Sequence, residues 1–167
     1  MKINKNLKFA ALTALAVTLL CQTSITRADD RGKRDDHGQQ AKVTFTKWIT
    51  SFNGLPGDIA TMAGVAGGDI GAGGSFAGGV LKMDWVTVPG VTEIVAYYRF
   101  TGPKHSFTAL VRIVQTGPDA VITGVVTDGW LKGHVVEGEY TQGPCGHDGI
   151  TTDCYTGTLE IQRDSRD

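Results

Sequence analysis

Residues 92–115 read TEIVAYYRFTGPKHSFTALVRIVQ, and their spacing predicts two strands, 92–101 and 105–115, joined through a Gly-Pro pair. In the second, Phe107, Ala109, Val111 and Ile113 fall on one side, with Leu110 and Val114 on the other. In the first, Glu93, Tyr97 and Arg99 share one face, whereas Ile94, Ala96, Tyr98 and Phe100 share the opposite one. A two-residue period belongs to a pleated strand and not to a helix, whose side chains return to the same face every 3–4 residues.

The pattern continues on both sides of this pair. Residues 42–52 set Val43, Phe45 and Ile49 against Thr44, Thr46 and Thr50, and β-branched threonines suit a pleated surface. Further strands are expected at 76–88, 120–127, 134–142 and 154–162, and 60–70 leaves room for one more. Connections as short as Thr116-Gly117-Pro118-Asp119 make neighbours antiparallel. No stretch keeps a helical period beyond two turns, so the fold expected is all-β: an antiparallel up-and-down barrel of about eight strands. Strands with apolar residues on both faces need cover for the second face from another subunit, a helix or the glycine-rich segment, which leaves room for a homo-oligomer.

Residues 1–28 read as a secretory signal peptide, with Lys2, Lys5 and Lys8 before an apolar run and Thr26-Arg27-Ala28 at the cleavage site. The apolar run is too short to span a bilayer, so no membrane anchor is expected, and Leu20 before Cys21 does not fit a lipid-attachment signal. The domain plan is therefore signal peptide 1–28, disordered charged leader 29–41, β-barrel 42–162 and disordered tail 163–167. The expected location is secreted or periplasmic. After cleavage the chain has 12 basic against 17 acidic residues, a net charge of −5; such a balance argues against a nucleic-acid partner, which calls for a basic stripe. Cys145 and Cys154 are then the only cysteines, an even pair that in an oxidising compartment favours a disulfide. Closing so short a ring stabilises by roughly 2.5–3 kcal/mol in a chain-entropy estimate. His147 and Asp148 beside them lack a second ligand pair, so no metal is expected.

Ten glycines fall within residues 54–79. The dinucleotide and P-loop fingerprints are both missing and no helix follows, so no nucleotide or other cofactor is expected. The stretch reads as a long mobile loop that folds over one barrel mouth.

Residues 120–140, AVITGVVTDGWLKGHVVEGEY, resemble the strand–turn–strand signature of the allene oxide cyclase and dirigent-like barrels. Residues 74–79, GSFAGG, are similar to an early hairpin of bacterial members, and 154–161, CYTGTLEI, to their closing strand. The resemblance spans roughly 74–162 and implies an eight-stranded barrel, often a trimer, with a cavity for a small hydrophobic molecule. In the plant cyclases the barrel steers ring closure of a fatty-acid epoxide, and in dirigent proteins it orients radicals. Their catalytic positions do not match this chain residue by residue, so none is carried over.

Candidate chemistry is sparse. Were the polar face of 92–101 to point inward, Glu93, Tyr97 and Arg99 would form a ligand-binding patch, with Arg99 gripping a carboxylate and Glu93 acting as acid or base. Pointing outward, which alternation normally means and which is favoured here, they are solvated surface. Arg112 is expected to pair across strands with Glu93 or Glu137. His105 and His134 read as strand-end residues, and Trp48, Trp85 and Trp130 as core or subunit contacts. No nucleophile elbow occurs, and Glu137 and Glu139 share one face, unlike the opposed carboxylates of a glycosidase. The function expected is binding of a small apolar or amphipathic molecule. The alternatives are a cofactor-free cyclase or isomerase and an assembly protein with a filled barrel.

Overall fold

The computed structural model describes residues 40–162 and is all-β. The segments expected to be a signal peptide (1–28) and a C-terminal tail (163–167) lie outside the described residues, as does nearly all of the segment expected to be a charged leader. The strands are β1 (Ala41–Leu55), β2 (Asp58–Gly68), β3 (Gly74–Asp84), β4 (Val91–Thr101), β5 (Ser106–Thr116), β6 (Asp119–Gly129), β7 (Val135–Pro144) and β8 (Asp153–Gln162). Each pairs antiparallel with the next, and β1 pairs with β8 to close the barrel. The seam runs from Ala41 opposite Ile161 to Trp48 opposite Cys154. Closure leaves no unpaired sheet edge, which removes the main aggregation hazard of a β protein.

Period-two alternation sets the inside. Val43, Phe45 and Lys47 of β1 and Ile94, Ala96, Tyr98 and Phe100 of β4 point inward, as do Phe107, Ala109, Val111 and Ile113 of β5. The outer wall carries Glu93, Arg99, Arg112, Glu137 and Glu139, all exposed. Charge outside and apolar side chains inside is the reverse of what a lipid-facing barrel needs. Leu110 also faces out, beside Tyr97 and Val125 in register across β4, β5 and β6.

The glycine-rich stretch 54–79 is not a loop over a mouth. It forms the end of β1, all of β2 and the first half of β3. Its glycines serve close approach more than mobility: a Cβ on Gly64 would lie 2.3 Å from the carbonyl oxygen of Thr46 and 2.8 Å from Cα of Lys47. Such inward glycines let a sheet curl tightly enough to close.

The two ends differ. Where β2–β3, β4–β5 and β6–β7 turn, the barrel is shut: Ile70 is fully buried and Leu131 nearly so. Leu131 holds φ at +59°, a left-handed conformation that costs roughly 1–2 kcal/mol for a residue with a side chain and turns an apolar group into the end of the core. Inside, Phe76 packs edge-on against Tyr98 and Phe100 at 5.0 and 5.2 Å between ring centres, and Phe100 stacks on Phe107 at 4.9 Å. At the opposite end, where β1–β2, β3–β4, β5–β6 and β7–β8 turn, the interior is open.

Candidate functional site

The open end holds a cavity of about 350 Å3. Its walls are mainly aliphatic, with Ile49, Ala60, Met62, Val80, Ile94 and Ile113 contributed by the first five strands and Met83 and Trp85 near the rim. Its polar groups are few: Lys47, Thr92, Gln115, Tyr140 and Tyr155. A larger hollow of about 420 Å3 lies along β5–β8 and is bordered by Thr116, Val121, Glu139, Thr141, Thr156 and Thr158. The exposed Thr116, Val121, Glu139 and Thr141 make it an outer-wall groove without the enclosing aliphatic walls of the mouth. Enclosure by apolar surface with a few convergent polar groups makes the smaller cavity the candidate site.

Lys47 is the notable group. It is 2 % exposed and is the only charged residue in the buried core among the described residues. Its Nζ donates a hydrogen bond to the Tyr98 hydroxyl and lies 4.3 Å from the Tyr98 ring centre and 4.4 Å from that of Tyr140. Neither of the two ion pairs among the described residues involves it, and no carboxylate lines the cavity. Burial pushes the Lys47 ammonium well below its ordinary range, because moving a charge out of water disfavours the charged form. The aromatic faces offset part of that cost for the cation. Burial pushes the Tyr98 and Tyr140 phenols up, with neighbouring tyrosines adding to the shift. Tyr155 moves up for the same first reason, with Asp153 adding to it. The phenols therefore stay protonated beside an amine that loses its proton readily.

Tyr140 is fixed by a chain of hydrogen bonds leading to the rim. Its hydroxyl donates to Oε1 of Gln115 at 2.9 Å. Nε2 of Gln115 donates to Oε1 of Gln142 at 3.0 Å, and Nε2 of Gln142 donates to Asp153 at 2.8 Å. Asp153 opens β8 next to Cys154, whose disulfide to Cys145 staples the 145–152 loop at this mouth. His147 of that loop stacks on Trp48 at 4.9 Å. On the other side of the rim Asp84 accepts from Val86 N, Thr87 N and the Thr87 hydroxyl, which bends the chain that carries Trp85. These bonds, the Thr87 hydroxyl first, hold the Asp84 carboxyl below its usual value. Phe52, Leu55, Trp85, Val86 and Val88, all exposed, belong to the chain segments of this same end.

The sequence candidates Glu93, Tyr97 and Arg99 stand on the outer face of β4, away from the cavity. Glu93 accepts from Arg112 at 2.8 Å across the wall, and the Tyr97 ring lies over Gly79. His105 stacks on Trp130 at 3.9 Å near the closed end, which also carries His134 in the β6–β7 connection. Among the described residues no group of histidine, cysteine, aspartate or glutamate could hold a metal ion. Sequence reasoning missed Lys47. The signal was present, for Lys47 lies in phase with Val43, Phe45 and Ile49 on the apolar side of β1.

No family model, curated protein or solved structure matches this chain, so the reading of the site rests on its own residues.

Proposed function

We propose that the protein is an exported binding barrel that holds one small apolar or amphipathic molecule in the mouth cavity. The carrying observation is the cavity itself: about 350 Å3 enclosed by aliphatic walls that converge on Lys47. That volume lies toward the small end of ligand sites, which span roughly 300–1,000 Å3. A residue as costly as a buried lysine with no carboxylate partner is expected where function requires it. Export agrees with the disulfide, which belongs to oxidising compartments, and with the signal-like residues 1–28. A relation to the allene oxide cyclase and dirigent-like barrels is part of the same reading, because an eight-stranded antiparallel barrel with an interior cavity is what that resemblance implies. The outward row of Tyr97, Leu110 and Val125 is where subunits of a homo-oligomer would meet.

The test uses N-phenyl-1-naphthylamine, an uncharged apolar fluorophore. It is expected to brighten on binding, to quench Trp85, and to lose at least ~10-fold in affinity when Met83→Trp fills the mouth. Equal brightening with the filled variant would remove the reading. Native mass spectrometry of the protein from its own host reads the mass of any retained molecule and the subunit count together.

A further inference from the structure

We propose that Lys47 is a covalent ligand site: its amine condenses with an aldehyde or ketone at the head of an apolar molecule, forming an imine at the bottom of the mouth cavity. This rests on the cavity-binding reading and names the chemistry of the molecule bound there. Three features carry it. The amine borders a cavity whose other walls are mainly aliphatic, so a hydrocarbon chain toward the mouth leaves its head group beside Nζ. A phenol is already in hydrogen-bond contact with that nitrogen, through Tyr98. No carboxylate lines the cavity to hold the lysine as a permanent ammonium. A lysine desolvated in an apolar pocket is the usual form of the amine nucleophile.

In the step, the nitrogen lone pair forms a C–N bond to the carbonyl carbon while the C=O π pair moves onto oxygen. That oxygen takes a proton and the nitrogen gives one up, yielding a carbinolamine. Loss of the hydroxyl together with the second nitrogen proton releases one water and leaves C=N. The sum is aldehyde plus amine going to imine plus water, with nothing oxidised or reduced. Tyr98, whose hydroxyl contacts the reacting nitrogen, is the acid–base group that passes the proton between nitrogen and oxygen.

Octanal with sodium cyanoborohydride at pH 7.5, followed by peptide mapping, tests this against the exposed Lys42, Lys82, Lys104 and Lys132. Lys47 is expected to be alkylated at least ~10-fold faster than those four, since a free amine reacts and an ammonium does not. N-phenyl-1-naphthylamine should slow labelling of Lys47 alone. Lys47→Met should lose the adduct at position 47 while the four exposed lysines label as before, and Tyr98→Phe should slow the adduct at Lys47 without changing their labelling. Uniform labelling of Lys47 and those four lysines with intact fluorophore binding overturns the imine and leaves the binding barrel standing. Octanoate displacing the fluorophore in a Lys47-dependent way, without selective octanal labelling, overturns it in favour of a carboxylate ligand. Selective labelling of Lys47 with no fluorophore binding upholds the imine and overturns the general apolar receptacle.

Discussion

The two halves of the barrel share strands, register and alternation, yet one is solid and the other hollow. In the solid half the inward positions are Phe45, Phe76, Phe100 and Phe107, rings large enough to meet across the axis, with Ile70 and Leu131 closing the end. In the hollow half they are Ile49, Ala60, Met62, Val80 and Ile113, which line the wall without filling the centre. About eight strands leave an interior that side chains either fill or leave open for one ligand, and here both outcomes occur along a single axis. Lys47 and Tyr98 mark the boundary. A packed layer and an open layer can thus share one sheet, so that each can be altered with limited effect on the other.

The sharpest way to break that division is Phe76→Ala. Removing a ring that is 2 % exposed and packed on three others should cost about 3–5 kcal/mol, whereas Met83→Ala at the partly buried rim should cost less than about 1 kcal/mol. Urea unfolding with equal losses from the two would show that the halves are not distinct.

Opening the staple comes next. Cys145→Ser with Cys154→Ser should lose about 2.5–3 kcal/mol by the ring-closure estimate and loosen the 145–152 side of the mouth. Weaker fluorophore binding should accompany the loss; unchanged binding would place the loop outside the site.

Lys47→Met should move stability the other way, by about 1–3 kcal/mol, since an amine held by one phenol is replaced by an apolar chain of similar length. The gain should depend on pH. Burial lowers the folded pKa of Lys47, so between that value and the ordinary ~10.4 the unfolded chain binds more protons at this site, and native stability rises with pH. The advantage of the variant should therefore shrink as pH goes from 7 to 9.5. Above ~10 the raised phenols of Tyr98 and Tyr140 act oppositely, because the unfolded chain releases protons that the native chain keeps, and both proteins lose stability. A pH-independent advantage would mean that Lys47 is solvated.

Smallest should be Arg112→Ala on the outer wall. Its pair with Glu93 joins two half-exposed side chains, and such pairs contribute less than about 1 kcal/mol.

The strand order from β3 to β8 was legible because each of those segments alternates visibly. β2 was hard to read because its inward positions are Ala60, Met62, Gly64 and Ala66, small residues chosen by the neighbouring backbone and rings, and in sequence such a run looks like a flexible loop. The polar trio Glu93, Tyr97 and Arg99 drew attention because charge is conspicuous, but alternation alone gives two faces without saying which one is inside.

By itself the sequence determined the period, the turns and the cysteine pair: these depend on residues close along the chain, where a two-residue repeat or a Gly-Pro step has a direct conformational meaning. Tertiary structure alone decided that β1 meets β8, that the rings fill one end and leave the other empty, and that Lys47 faces Tyr98. Those outcomes depend on side-chain volumes summed around a closed circle and on solvent excluded by residues far apart in the chain, Tyr98 standing 51 positions from Lys47 and Tyr140 further still, and no local pattern carries that sum.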